Sequence, residues 1–359
     1  MAIRPLEVSG LFVFVRRYEQ DREATIMTDK PKPIGIYYEH PDWFRLLFAE
    51  LDRRDAPYVP IRADEHQYDP AETNHGFSLI FNRMSPSAYL RGHGQGIFYT
   101  LNYLEHVERL GTRVINGRRA FTIEISKALQ LSLLNSLGLP YPRARVVNHP
   151  SQVASAARDL RFPVVVKANV GGSGAGVVRY DSPSALANAV ESNNVDLGID
   201  STALVQEFVP ARGGHITRVE TLGGRFLYAI KVFTSGESFN LCPADICQTT
   251  DGVELARTTC PVDAPRTGLQ VESYVPPPEV INAVELIVQT AEIDVGGVEY
   301  IVDDRDGSLL YYDINALSNF VADAPRVIGF DPHARLVDFL EKEAFQCDTV
   351  TGYRFSAVG

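Results

Sequence analysis

The sequence predicts an α/β protein that begins as an alternation of strands and helices and continues as a mixed α+β region built on hairpins. Three observations carry this. Between residues 33 and 118, short apolar runs alternate with a helical apolar pattern, as in a parallel sheet with helices packed on it. From Pro163 to Tyr180, a strand-like run passes through a glycine-rich stretch into a second strand. From Gly297 to Asn315, two strands flank a turn at Asp306-Gly307. At roughly 150 residues per domain, a length of 359 residues suggests two or three domains. The divisions that fit are 1–118 for an N-terminal α/β unit, 119–205 for a small central unit with the glycine-rich stretch, and 206–359 for a C-terminal unit with the late hairpin.

Taken in order, Leu11 to Val15 fits a strand and Tyr18 to Lys32 a polar loop. Ile34 to Tyr38 is a short apolar strand ending in Glu39, and His40-Pro41-Asp42 is a helix entry. Trp43, Phe44, Leu47, Phe48 and Leu51 then recur at three- and four-residue spacing, the mark of an amphipathic helix. Tyr58 to Ile61 and Phe77 to Phe81 read as the next strands. The second unit begins near Asn116. Ser126 caps a helix with Ala128, Leu131, Leu134 and Leu137 on one face, ended by Gly138 and kept ended by Pro140. A further helix fits Ser151 to Leu160, with Pro150 near its start. Strands follow at Pro163 to Ala168 and Gly176 to Tyr180, then a helix entered at Ser182-Pro183. The third section holds strands at Ala203 to Phe208, Ile216 to Leu222 and Phe226 to Val232. After a proline-rich break (Pro276 to Pro278) come a helix over Ile281 to Ala291 and the late hairpin.

Composition narrows the function. The apolar fraction of 45% and the charged fraction of 22% are ordinary globular values. No uncharged apolar stretch is long enough to span a membrane, and Arg16-Arg17 follows the first apolar run instead of preceding it, the wrong order for a secretory signal. Four cysteines make no disulfide framework, so the expected compartment is the reducing cytoplasm. With 45 acidic against 34 basic residues, the net charge of −11 disfavours nucleic acid as a partner. Any phosphate chemistry must occupy a pocket that opposes the overall charge.

Two stretches carry chemistry. In Lys167-Ala-Asn-Val-Gly-Gly-Ser-Gly-Ala-Gly-Val177, the glycines let the backbone approach a ligand closely, and successive N–H groups form an anion-binding concavity. It is neither a P-loop nor a dinucleotide fingerprint, because no Gly-Lys-Ser/Thr follows and the next segment is a strand. A flexible hairpin tip is the plainer alternative. In the late hairpin, Glu299 comes close to Asp313 and Asn315, and the last two share a face because they are two apart in a strand. Three oxygen ligands suit a hard cation such as Mg²⁺; alternatively Asp313 merely ends a strand and Asn315 opens a loop. Between these stretches, Gln206-Glu207 on an apolar strand before Pro210 fits a hinge that offers backbone groups to a base. Arg218 and Lys231 stand on neighbouring strands and could reach one pocket.

The order of these parts resembles the ATP-grasp superfamily, and within it the RimK-like amino-acid ligases and glutathione synthetases. The resemblance covers residues 110 to 340, with the preceding α/β unit similar to that family's leading domain. Val114-Ile-Asn116, Ser126-Lys127 and Leu137-Gly-Leu-Pro-Tyr-Pro142 look like the family's lead-in, and Phe239-Asn240-Leu241 like its Thr-Asn-Leu segment. The resemblance implies Lys127 and Lys167 as phosphate ligands, and closure of Gly171, Gly172, Ser173, Gly174 and Gly176 over the β- and γ-phosphates. Gln206, Glu207, Phe208 and Val209 would hold adenine and ribose by side chain or backbone. It implies Glu299, Asp313 and Asn315 as metal ligands, and Arg218, Lys231 and Asn240 as the catalytic set. The sequence departs from the pattern in places. Asp313-Ile-Asn-Ala-Leu-Ser-Asn319 stands for Glu-Val-Asn-Ala-Ser-Pro-Gly, and Val232 for an arginine.

The chemistry so implied is ATP-dependent joining of a carboxylate to an amine through an acylphosphate, with release of ADP and phosphate. ATP with Mg²⁺ or Mn²⁺ is the expected cofactor set. Small carboxylate and amine substrates, amino acids or peptides, are the expected partners, with no nucleic acid and no membrane, and a homo-oligomer left open. The alternatives are an acyl or phosphoryl transferase with no amine acceptor and a nucleotide-binding module without catalysis. Cys242 and Cys247 read as ordinary thiols and His215 as an exposed loop histidine, while His93 and His106 show no constellation. Arg83, after a strand of the first unit, is a candidate for a substrate carboxylate.

Overall fold

A computed structural model describes residues 31–172, 176–233 and 270–355. The expected strand at Leu11 to Val15 lies outside them. The first unit runs β1 (Ile34–Tyr38), a 3₁₀ turn, α1 (Arg45–Arg53), β2 (Tyr58–Arg62), β3 (Leu79–Arg83), α2 (Gly94–Arg109) and β4 (Arg113–Ile115). Its sheet has the order β2-β1-β3-β4 with every pair parallel. All five residues of β1 and of β3 are buried, which is why both read as unbroken apolar runs. Helix α2 escaped the sequence reading. It opens on Gly94 and Gly96, poor helix formers, although Ile97, Thr100, Leu104 and Val107 bury one face at helical spacing.

The middle section holds α3 (Arg118–Glu124), α4 (Lys127–Ser136), β5 (Ala144–Val147), α5 (Val153–Ala156), β6 (Val164–Ala168), β7 (Val177–Tyr180), α6 (Pro183–Glu191) and β8 (Ala203–Glu207). The strands form an antiparallel sheet of order β5-β8-β6-β7. Ser126 caps α4 as expected, its hydroxyl accepting from Leu129 N at 3.3 Å, and Gly138 follows the helix at φ 67°. Ser126→Ala should therefore cost about 1 kcal/mol, read as a lower midpoint in urea denaturation. The helix expected over Ser151 to Leu160 is only the single turn α5. Tighter three-residue bonds follow it, Arg158 N to Ser155 O at 3.3 Å and Leu160 N to Ala157 O at 3.0 Å. That tighter winding already buries Val153, Ala157 and Leu160, so no longer helix is required.

The last section comprises β9 (His215–Leu222), β10 (Arg225–Phe233), β11 (Val271–Tyr274), α7 (Pro278–Thr290), β12 (Val295–Val302), β13 (Leu309–Asn315), α8 (Ala324–Ile328) and α9 (Pro332–Phe355). Its antiparallel sheet has the order β11-β10-β9-β12-β13. One face, with Val219, Ala229, Val298 and Ile314, packs on Val284 and Ile287 of α7 and on Leu131 and Leu134 of α4. The other face, with Ile216, Tyr228 and Ile230, shares a core with Leu336 and Val337 of α9 and with Ile36 and Phe81 of the first unit. Strand β13, through Tyr312, and the first unit thus share one core. Among the described residues, no helix is long and apolar enough to cross a membrane.

Candidate active site

Lys127 sits at the first position of α4, immediately after its cap. Asn169 anchors this corner. Its Oδ1 accepts from Ala128 N at 2.9 Å and Ser126 Oγ at 3.1 Å, while its Nδ2 donates to Asp200 at 2.7 Å. So held, Lys127 Nζ donates to the Gly171 carbonyl at 3.1 Å and lies 3.6 Å from Asp313 Oδ1. Gly171 and Gly172 open the glycine-rich loop against the first unit: a Cβ on Gly172 would lie 3.3 Å from Ser87 Cβ. Gly176 closes it at φ 70°, a conformation that glycine adopts without strain. Ser173 and Gly174 lie outside the described residues. In the middle sheet, Lys167 pairs with Leu204, and Val165 with Gln206. Lys167 and Gln206 therefore share the face turned away from the core that α5 and α6 cover. Gln206 is fully buried, and neither its amide nitrogen nor its amide oxygen has a hydrogen-bond partner among the described residues. A buried amide so placed fits the polar edge of a ligand such as adenine.

The carboxylates meet as the hairpin requires. Glu299 pairs with Asp313 and Gly297 with Asn315, and Asn315 Nδ2 donates to Asp313 Oδ2 at 3.0 Å. The register slips between Glu299 and Tyr300, so Tyr312 is the extra residue of a bulge. Its hydroxyl donates to Glu299 Oε2 at 2.7 Å. Burial pushes the Glu299 carboxyl up; Arg218 opposes that, and the charge of Asp313 adds to it. Among the described residues, no three His, Cys, Asp or Glu side chains form a metal-binding group by themselves. Two carboxylates and an amide nonetheless fit Mg²⁺, whose shell is ordinarily completed by phosphate and water oxygens. A cation there would also relieve the repulsion between Glu299 and Asp313.

Arg218 lies beside this pair, opposite Glu299 on β9, and is 6% exposed. It donates to Glu299 Oε1 at 3.0 Å, to Glu220 Oε1 at 2.5 Å and to Ser318 Oγ at 3.3 Å. Ser318 Oγ in turn donates to Glu220 Oε2. A Cβ on Gly297 would lie 2.9 Å from that same oxygen, so the glycine makes room for Glu220. Sequence reading missed Glu220, Ser318 and Tyr312. The Arg218-Val-Glu220 spacing, which puts two charges on one strand face, was the available signal for Glu220.

Glu124, at the end of α3, was also missed. It is fully buried and accepts from the backbone N–H of Ala316. Burial pushes its carboxyl up from 4.5 to about 7, with Asp313 adding to the rise and the Ala316 N–H and Lys127 opposing it. The folded chain then binds this proton more tightly than the unfolded chain does. The resulting stability is complete below about pH 4.5, falls as pH rises toward about 7 and levels off above it. Glu124→Gln should remove that decline, on the order of 3 kcal/mol, in urea denaturation of metal-free protein at pH 4.5 and 8. Equal declines in both proteins would refute it.

Several expectations need correction. Lys231 pairs with Thr217, not Arg218, so it stands on the opposite face of the sheet, its ammonium 4.5 Å from the centre of the Tyr274 ring. It does not meet Arg218 in one pocket. The Glu207 carboxylate is taken by Arg161 N at 3.0 Å and Arg143 Nη1 at 3.2 Å, and Val209 is buried in the shared core, so neither side chain is presented to a base. The backbone N–H groups of Glu207 and Phe208 are also bonded, to Arg143 O and Pro163 O, and the Phe208 ring lies 4.5 Å from the Arg179 guanidinium. Arg83 is buried at 2% exposure and binds a backbone carbonyl of the chain itself. His93 has a constellation after all: it and Arg91 both contact the buried Glu39, at 2.8 and 2.6 Å. His215 heads β9, its ring 5.2 Å from that of Phe233. Asn240, Cys242 and Cys247 lie outside the described residues.

Comparison with known proteins agrees with the motif order. Residues 125–240 match the family model of the RimK-like ATP-grasp domain. A probable alpha-L-glutamate ligase of Teredinibacter turnerae is 32% identical over 135 residues, 37% of this chain and 44% of that protein. The chain thus matches less than half of that relative's length. The probable alpha-L-glutamate ligase 1 of Pseudoalteromonas atlantica is 29% identical over 206 residues, 52% of this chain and 67% of that protein. Among solved structures, the ATP-grasp ligase PsnB, complexed with a phosphomimetic variant of its minimal precursor, Mg and ADP, superposes with a TM-score of 0.62. It is 17% identical, over 88% of this chain and all of that one. The D-cycloserine synthetase DcsG gives a TM-score of 0.61 at 18% identity, over 87% of this chain and 99% of that one. The fold is that of the ATP-grasp ligases.

Proposed function

We propose that this chain is an ATP-dependent ligase that joins the carboxylate of one small substrate to the amine of another, both of them amino acids or peptides. One observation carries the reading: Lys127 spans from the glycine-rich loop to the carboxylate pair, 3.1 Å from the Gly171 carbonyl and 3.6 Å from Asp313. A cation between a loop suited to phosphate and a carboxylate suited to a metal supports this reading, as does the buried Gln206 amide, which suits adenine. The naming of the relatives as glutamate ligases supports amino-acid substrates.

A substrate carboxylate oxygen would attack the γ-phosphorus of ATP, releasing ADP and forming an acylphosphate. The amine would then attack the acyl carbon, expelling phosphate and losing a proton as the amide forms. Bound Mg²⁺ would neutralise the charge on the phosphate oxygens. Lys127 and Lys167 would hold those oxygens in line, where positioning and charge supply most of the rate. The glycine-rich loop would exclude water from the acylphosphate. The test is an ADP-release screen over pairs of carboxylates and amines. Release that requires both members of a pair supports the ligase. Full-rate release with a carboxylate alone would favour the acyl or phosphoryl transferase, and tight ATP binding without turnover across a broad panel would sink both.

A further inference from the structure

The loop that leaves the metal strand is gripped from the first unit. After β13, residues 316–321 have no helix or strand of their own to fix them. Arg83, at the end of β3, reaches this loop with a guanidinium centred 5.2 and 5.0 Å from the rings of Phe44 and Phe81. Its Nη2 donates to the Ser318 carbonyl and, at 3.0 Å, to Asn319 Oδ1. Ser318 and Asn319 stand where the family resemblance has Pro-Gly. Pro would still offer its carbonyl but no hydroxyl, and Gly no side chain, so the Asn319 bond to Arg83 and the bonds of the Ser318 hydroxyl belong to the sequence present here. The Ser318 side chain turns the other way, donating to Glu220 and accepting from Arg218 Nη2 at 3.3 Å. Arg218 in turn holds Glu299 at 3.0 Å. A single residue therefore joins two guanidinium groups, through its carbonyl to Arg83 and through its hydroxyl to Arg218.

We infer that Arg83 and Ser318 are positioning residues for the metal site, fixing where Arg218 holds Glu299 and where the strand end bearing Asn315 stands. The inference rests on the reading of Glu299, Asp313 and Asn315 as metal ligands. Groups that orient metal ligands without touching the metal typically carry a tenfold or larger share of its affinity. An arginine fork fixes two acceptors in direction, whereas a lysine is a point charge that fixes neither.

The experiment titrates Mn²⁺ into the full chain with ADP present, reading free Mn²⁺ by electron paramagnetic resonance well below each variant's unfolding temperature. Ser318→Ala and Arg83→Lys should each weaken Mn²⁺ binding by about tenfold, and the double variant by less than the product, because both act along one chain of contacts. Ser318→Thr, which keeps the hydroxyl, should stay near the unmodified chain, and ADP affinity without metal should change less than about twofold in all variants. Mn²⁺ affinity unchanged in both single variants, with only a lower unfolding temperature, would reduce the contact to a strut and overturn the inference, as would an unmodified chain that does not bind Mn²⁺. Normal Mn²⁺ behaviour with no ADP release for any substrate pair would count against the ligase alone and leave these two residues in their role.

Discussion

ADP release by Asp313→Ala is expected to fall about a thousandfold for every substrate pair the unmodified chain accepts. A metal ion stabilises several kcal/mol of transition-state charge, and each 1.36 kcal/mol is a factor of ten in rate. Of the proposed ligands, Asp313 is the one whose loss should show this most cleanly. Glu299 has both oxygens engaged by Arg218 and Tyr312, whereas Asp313 Oδ1 faces Lys127 at 3.6 Å, with the side chain 17% exposed. Nor should its removal unfold the chain, since Asp313 repels both Glu299 and Glu124. The thermal midpoint of the metal-free variant is expected to equal or exceed that of the unmodified protein. A fall in ADP release of less than tenfold, or one matched by unfolding, would remove Asp313 from the metal set.

How much of the site could be read in advance follows the range of each contact. Glu299, Asp313 and Asn315 were legible because a hairpin's register and a strand's period of two are local properties. Ser126 and Lys127 were legible as a helix start. Lys231 was misjudged because two charges on adjacent strands share a face only if the register puts them opposite each other, and Thr217 takes that place. The role of Arg83 was out of reach, since its partners lie 235 and 236 positions away. Helix α2 was hidden by its own opening glycines. The local excess of positive charge expected in the cleft is also smaller than the residue list suggests. Arg218 is engaged by Glu220 and Glu299, Lys127 lies 3.6 Å from Asp313, and Lys231 stands on the other face of the sheet.

Those ion pairs make Arg218 a determinant of stability. Arg218→Met should cost about 3–5 kcal/mol, because it leaves Glu220 and Glu299, each 1% exposed, with no guanidinium between them. The penalty lies in the stranded carboxylates more than in the lost bonds. Replacing Glu220 as well, in Arg218→Met/Glu220→Leu, should therefore recover a large part of the loss, since an apolar pair of similar volume is often no worse than a buried ion pair. The loss should also shrink at acid pH, where the stranded carboxylates can take up protons. Urea denaturation of the single and double variants at pH 5 and pH 8 measures all three quantities. A single-variant loss below about 1 kcal/mol would mean that water reaches the carboxylates, as at a surface pair. No recovery in the double variant would mean that Arg218 acts through packing, and the account of two buried carboxylates held by one guanidinium would fail.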